Sequence, residues 1–154
     1  IIYIKATEED RPGIFEILKQ SNMHNIPSAE MPELTYENYT VAKEGDMVVG
    51  FSGYKILSEN KAKTELMVVD KEHRGLGIGY KLQVKRMEDM LEKGVRLLTT
   101  NSDLPASIDW YKRKFGYKEV GKINKVHEFG DPNINFWTTL QVDLVDWDLR
   151  RKDS

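Results

Sequence analysis

Between a strand-like run, Thr64 to Asp70, and a helix-like run from Tyr80 to Lys93 that stops at Gly94, the chain places Arg74-Gly75-Leu76-Gly77-Ile78-Gly79. Three glycines in five residues let backbone amides approach a ligand closely. The helix start behind them adds N–H donors that the helix itself does not use, and the positive end of its dipole. A short loop of this kind reads as a cradle for a pyrophosphate, and it forces a strand–loop–helix order on the middle of the chain. Two other phosphate-binding turns are excluded by spacing. Gly75, Gly77 and Gly79 do not make the Gly-x-Gly-x-x-Gly of a dinucleotide site. Gly79-Tyr80-Lys81-Leu82 lacks the Gly-Lys-Ser or Gly-Lys-Thr ending of a nucleotide-hydrolysing loop.

At 154 residues, the chain is long enough for one domain with a real core and short for two. A net charge of -2 with both signs interspersed gives no electrostatic reason to expect nucleic acid or an anionic membrane as the main partner. The absence of cysteine excludes disulfides, a thiol nucleophile and a thiolate metal site. No apolar run approaches membrane-spanning length. Three scattered histidines make no compelling ligand set, so no metal is expected. Ile1 enters an apolar stretch with no basic region and signal-like segment ahead of it, and the expected location is cytoplasmic.

Along the chain, Ile1 to Ala6 predicts a strand, and Thr7-Glu8-Glu9-Asp10 a helix start before Ile14, Phe15, Ile17 and Leu18. Pro27 and Pro32 break the stretch from Ser21 to Tyr36, which reads as a lid or broken helix. Tyr39 to Lys43 and Met47 to Ile56 bracket a turn at Glu44-Gly45-Asp46 and predict a hairpin. Further strands are expected at Lys63 to Val69, Val95 to Thr100, Tyr117 to Val120 and Phe136 to Leu144, with a helix over Pro105 to Phe115. The pattern is mixed α/β, with one domain over residues 1–147 and a polar tail over 148–154.

This order, and the residues in its middle, resemble the GNAT superfamily of N-acetyltransferases. The family's acetyl-CoA motif is Arg or Gln, two residues, Gly, one residue, then Gly or Ala, and Arg74, Gly77 and Gly79 match it without a gap. Residue-level similarity concentrates between Glu65 and Tyr117, while the order of elements extends it over the whole chain. The resemblance implies a single domain with a central mixed, mostly antiparallel sheet, flanked by helices and splayed at the acetyl-CoA site. It implies that main-chain groups over Met67, Val68 and Val69 pair with the pantetheine arm. The amides from Gly75 through Leu76, Gly77, Ile78 and Gly79 to Tyr80 would hold the pyrophosphate, with Arg74 assisting or shaping the loop. Acetyl-CoA would be a co-substrate, and the acetyl group would pass directly to a primary amine of a small molecule or peptide.

Direct transfer needs a neutral amine, a polarised thioester and a proton for the departing thiolate. By the resemblance, Tyr111 is the general acid, although it stands five steps before Gly116 where family members have four. A packed aromatic beside Trp110 is the competing reading. Glu65, on the strand that opens at the reaction centre, is the candidate base; its alternative is an exposed strand residue paired with a lysine. Period-two alternation sets Glu65 with Met67 and Val69, opposite Leu66 and Val68, and leaves open which face is wet. Asn101 is a cofactor contact by resemblance and a helix cap with Ser102 and Asp103 by local chemistry. His24 and His127 lie in expected loops, and His73 reads as loop framework. Lys112-Arg113-Lys114 fits either the adenosine phosphate or a solvated helix face.

The acceptor walls are expected in Ser21 to Tyr36 and Lys122 to Asn135, with Met23, His24, Glu30, Met31, Glu33, Tyr36, His127 and Glu128. A homodimer through Phe136-Trp137 and the last strand is left open beside a core role for those rings. Trp110-Tyr111 to Gly116-Tyr117 is also similar to a helix segment of glyoxalase-like metal proteins, whose sites need His or Glu on facing strands. The alternative from another functional class is a non-catalytic acyl-CoA-binding module that keeps the cradle and lacks turnover.

Overall fold

The computed structural model describes residues 1–20, 35–125 and 131–153. These residues form two compact units, Ile1–Lys55 with Glu65–Asp89, and Ile56–Thr64 with Met90–Ser154. Seven strands run β1 (Ile2–Lys5), β2 (Tyr39–Glu44), β3 (Met47–Ile56), β4 (Lys61–Val69), β5 (Leu97–Ser102), β6 (Lys118–Asn124) and β7 (Phe136–Asp143). Four helices are α1 (Arg11–Gln20), α2 (Ile78–Glu92), α3 (Pro105–Phe115) and α4 (Leu144–Lys152). The hydrogen-bonded order is β1-β2-β3-β4-β5-β7-β6. The sheet is mixed. β4 and β5 are parallel, whereas β1–β2, β2–β3, β5–β7 and β6–β7 are antiparallel. A parallel pair needs a long crossover, and α2 supplies it between β4 and β5.

In the first unit, the Asp10 carboxylate accepts the Thr7 N–H at 2.9 Å and tightens the turn that leads into α1. Pro12 sits in the helix's first turn, where its missing N–H costs no hydrogen bond. Burial works against the charge on Asp10. Hydrogen bonds from Lys43, whose Nζ lies 2.7 Å away, and from the Thr7 amide outweigh it and hold the carboxyl below its ordinary range. α1 buries Ile14, Ile17 and Leu18. β2 and β3 pair up to Glu44–Met47, so the hairpin closes through Gly45 and Asp46. Ala42 and Val49 from this hairpin pack with Ile78 and Leu82 of α2, and Tyr3, Met67 and Val69 close the cluster.

The second unit holds its core around Leu98, Leu140, Val142, Phe115 and Tyr117, all nearly inaccessible. β5 begins at Leu97, two residues after the expected Val95, because its ladders to β4 and β7 begin at Lys61–Leu97 and Leu97–Asp143. The ladder to β4 ends at Lys63–Thr99. β6 continues to Asn124, four residues beyond the expected Val120, along a pairing with β7 that is bulged between Glu119 and Gly121. Every residue of β6 is exposed. β7 lies between β5 and β6 and is therefore not an edge. Phe136 and Trp137 are half-buried, with the ammonium groups of Lys122 and Lys125 above their rings at 4.8 and 4.6 Å.

Residues 148–152, read from sequence as part of a tail, are the last turns of α4. The Asp143 side chain caps that helix by accepting the amides of Val145 and Asp146, at 2.9 and 3.1 Å. Leu144 and Trp147 are buried beneath it.

Candidate functional site

The 3₁₀ turn Lys71–His73 connects β4 to the glycine loop, and it is tied down at several points. Gln20, the last residue of α1, donates to Asp70 Oδ1 at 2.8 Å and accepts the Lys71 amide at 3.0 Å. His73 Nδ1 lies 2.7 Å from Asp70 Oδ2, and its Nε2 is 3.6 Å from Glu44. The Gln20 and His73 hydrogen bonds hold the Asp70 carboxyl low, while the bond to Asp70 and the nearby Glu44 push the imidazole up. His73 is thus loop framework, in keeping with its sequence position.

Arg74 folds back so that its Nε donates to the Val69 carbonyl at 3.3 Å. Gly75 and Gly77 then adopt left-handed backbone, with φ of 84° and 82°. A Cβ at either would meet nothing within 4 Å, so the glycines serve conformation and an open surface rather than crowding. The helix ladder begins with the Lys81 amide donating to Gly77 O at 3.1 Å. The amides of Ile78, Gly79 and Tyr80 precede that ladder, at the positive end of α2. Ile78 is buried in the core cluster, whereas Leu76 and Tyr80 are exposed. A loop anchored on both sides, with open space beside its glycines and a helix start behind it, fits a diphosphate.

On β4, Leu66 and Val68 are buried, while Glu65, Met67 and Val69 are half-exposed. This settles which side of the strand is wetter. Glu65 is not a simple surface residue, since its Oε2 is buried. Around it the first unit holds polar groups that helical spacing alone does not announce. Arg86 and Gln83 lie on the inward face of α2, at 1% and 0% exposure. Arg86 donates to Gln83 Oε1 at 2.7 Å, to Gly53 O at 3.1 Å and to Leu66 O at 3.5 Å. The Tyr39 ring lies so close over Gly53 that a Cβ there would overlap it. Its hydroxyl is buried and lies toward the Leu66 backbone without completing a hydrogen bond. Burial, and then the Glu65 charge, push that hydroxyl's ionisation far up, and Arg86 opposes them. The sequence signal for this cluster was two polar residues, 83 and 86, within the stripe that carries Leu82, Met87 and Met90.

In the second unit, Tyr111 is 7% exposed on α3, edge-on to Trp110 and Tyr117, with centroids 5.0 and 5.1 Å away. Tyr117 OH receives the Thr100 hydroxyl at 3.4 Å, and Thr100 in turn meets Thr64 at 2.9 Å. Asn101 lies inside β5, and its Oδ1 accepts the Thr139 hydroxyl at 2.7 Å. It does not cap α3, whose N-cap position is Leu104. The run Lys112 to Lys114 is exposed and pairs with Glu119 and Asp109, which is the solvated-face arrangement. Asp103 is engaged in a buried ion pair with Lys125 at 3.0 Å. The expected acceptor-wall residues Met23, His24, Glu30, Met31, Glu33, His127 and Glu128 lie outside the described residues; Tyr36 begins the short turn before β2 and takes a hydrogen bond from Arg11.

The Acetyltransferase (GNAT) family matches residues 9–117. The chain belongs to the GNAT family of acetyltransferases and is an enzyme of that class. No curated protein sequence matches it significantly. Among solved structures, it is similar to Ard1 from Thermoplasma volcanium, with a TM-score of 0.74 at 18% identity over 92% of this chain and 96% of that one. It is also similar to the ribosomal-protein-alanine N-acetyltransferase from Brucella melitensis, with a TM-score of 0.71 at 21% identity over 93% and 99% of the two chains. A third is yncA from Salmonella typhimurium, solved with its cofactor acetyl-CoA, with a TM-score of 0.71 at 16% identity and 93% of each chain covered. These likenesses establish the fold. Among the described residues, no helix is long and apolar enough to cross a membrane, and no cluster of His, Asp and Glu could hold a metal.

Proposed function

We propose that this acetyltransferase uses acetyl-CoA as co-substrate and moves the acetyl group directly to a primary amine of a small molecule or peptide. The observation that carries the reading is the glycine loop: two left-handed glycines open toward solvent and lead directly into the first turn of α2. In this reading, the amides from Gly75 to Tyr80 hold the pyrophosphate, and main-chain groups over Met67 to Val69 receive the pantetheine arm as an added strand. Asn101 is assigned a contact near the same ligand.

Glu65 takes a proton from the acceptor's ammonium, directly or through water. The freed amine nitrogen bonds to the acetyl carbon while the carbon–sulfur bond breaks, Tyr111 supplies the proton that the departing sulfur needs, and the acylated nitrogen sheds its surplus proton to water, from which Tyr111 is reprotonated. No covalent enzyme nucleophile is required, which suits a chain without cysteine. Structural relatives named as ribosomal-protein-alanine N-acetyltransferases lend weight to a peptide acceptor.

The test is calorimetric titration with acetyl-CoA, followed by CoA release against a panel of small amines and peptides with free N-termini. Binding that Gly77→Asp abolishes, together with amine-dependent CoA release, is the expected result. Failure of the intact protein to bind acetyl-CoA, or binding with no release on any amine, overturns the reading.

A further inference from the structure

A guanidinium stays charged at every pH a protein meets, so one that is 1% exposed needs compensation. The hydrogen bonds Arg86 makes to Gln83, Gly53 O and Leu66 O satisfy its geometry with neutral acceptors. Glu65 is the residue next to Leu66; its Oε2 is buried, and its charge raises the ionisation of the Tyr39 hydroxyl that the Arg86 charge lowers. The Tyr39 hydroxyl on β2 thus lies within electrostatic reach of both the Glu65 carboxylate on β4 and the Arg86 guanidinium on α2. Tyr39 is a neutral phenol in this setting and brings Glu65 no positive charge.

We propose that Arg86 is a positioning residue of this acetyltransferase: from the inward face of α2 it fixes β4 at Leu66 and keeps the adjoining Glu65 carboxylate ionised and in place. Burial on its own drives a carboxyl toward its neutral form, which cannot accept a proton. A permanent cation beside it reverses that tendency, so the base is ready at neutral pH without waiting for solvent. Lysine would not serve equally, because a single ammonium lacks the planar fork that reaches two carbonyls on neighbouring strands while Nε holds Gln83. The proposal rests on Glu65 as the base, and its tests separate the two ideas.

The first test reads Glu65 in the intact protein. Its carboxyl carbon is followed by NMR as pH is lowered, and the resonance is assigned by its loss in Glu65→Gln. An ionised carboxylate at neutral pH is expected for a group beside a buried arginine, and a neutral carboxyl there overturns the proposal. The second compares the pH profile of kcat/KM for wild type, Arg86→Met and Arg86→Gln with one acceptor, so that the acceptor's own ionisation cancels. The acid limb is expected to move up by about one to three pH units in both variants, with acetyl-CoA affinity retained. A folded variant with an unmoved limb overturns the proposal. If Arg86→Met does not fold, Arg86→Gln keeps a donor for Gly53 O and carries the comparison, and the wild-type titration needs neither. Full turnover in Glu65→Gln would instead remove Glu65 as the base, leaving the NMR titration to judge the hold of Arg86 on it.

Discussion

Gly77 separates two reasons for a glycine, and substitution there gives a graded prediction. Its φ of 82° lies in the left-handed region, yet a Cβ would meet nothing within 4 Å. The penalty for a side chain is therefore conformational alone, about 1–2 kcal/mol for alanine. Part of this is offset in folding, because alanine also restricts the unfolded chain by about 0.4–1 kcal/mol. Global stability should consequently fall by only about 1 kcal/mol. Ligand binding gains no such offset, since a loop that relaxes to negative φ turns its amides away and must be restrained again. The full 1–2 kcal/mol then appears as a roughly 5- to 30-fold weaker acetyl-CoA affinity for Gly77→Ala. Asparagine tolerates left-handed backbone and should lose less, while valine should lose more. Gly121 is the control, as its Cβ position is equally open and its φ is not left-handed. Gly121→Ala should leave affinity unchanged. Calorimetry across the four variants, with thermal melts alongside, reads both quantities. Equal affinity for Gly77→Asn, Gly77→Ala and Gly77→Val, or a loss in Gly121→Ala as large as in Gly77→Ala, would refute the argument.

Tyr111→Phe keeps the edge-to-face packing with Trp110 and Tyr117, so melting temperature and acetyl-CoA affinity should hold while turnover drops about 100-fold or more; undiminished turnover removes Tyr111 as the acid. His73 is held above its ordinary value by Asp70 first and Glu44 after it, so its contribution to stability is complete below the unfolded-state value and fades as pH rises through the folded-state one. The melting-temperature gap between wild type and His73→Gln should accordingly shrink with rising pH across that window, and a gap that widens contradicts the ion-pair assignment. Asp70 and Asp143 have the opposite sign, since both are held low, by Gln20 and by Arg96 respectively; their stabilisation is present above the unfolded carboxyl value and is lost on acidification through the folded one. Asp143→Ala removes the α4 cap and should cost about 1 kcal/mol in chemical denaturation, and a neutral outcome would show that buried Leu144 and Trp147 hold that helix unaided.

Sequence alone located α3 residue for residue, because Pro105 starts it and Gly116 stops it, two signals that do not depend on the rest of the fold. The hairpin was equally local, whereas α2 starts at Ile78, two residues before the expected Tyr80, because its first residues are also the end of the glycine loop. β5 and β6 were placed less well, since their ends are set by partners far along the chain: Asn101 and Ser102 look like cap residues until Thr139 and Thr138 pair with them. β6 carries no alternation of burial to detect, being exposed throughout. α4 was legible in principle from Asp143 followed by Trp147, but the polar run after it argued for a tail. The glycine loop was readable because its chemistry lies in backbone spacing. The Arg86 cluster was not, because charge on a helix ordinarily faces water, and only the observed burial shows otherwise.

The strand order ends in β1 on one side and β6 on the other, and open edges of this kind are where chains recruit one another into aggregates. β1 offers only four residues to a would-be partner strand. β6 is longer and displays Val120 and Ile123, but Lys118, Lys122 and the bulge at Glu119–Gly121 interrupt any flat template it could present. The two lysines thus act as gatekeepers for colloidal behaviour, and their neutralisation would surface first as turbidity in concentrated stocks rather than as lost activity.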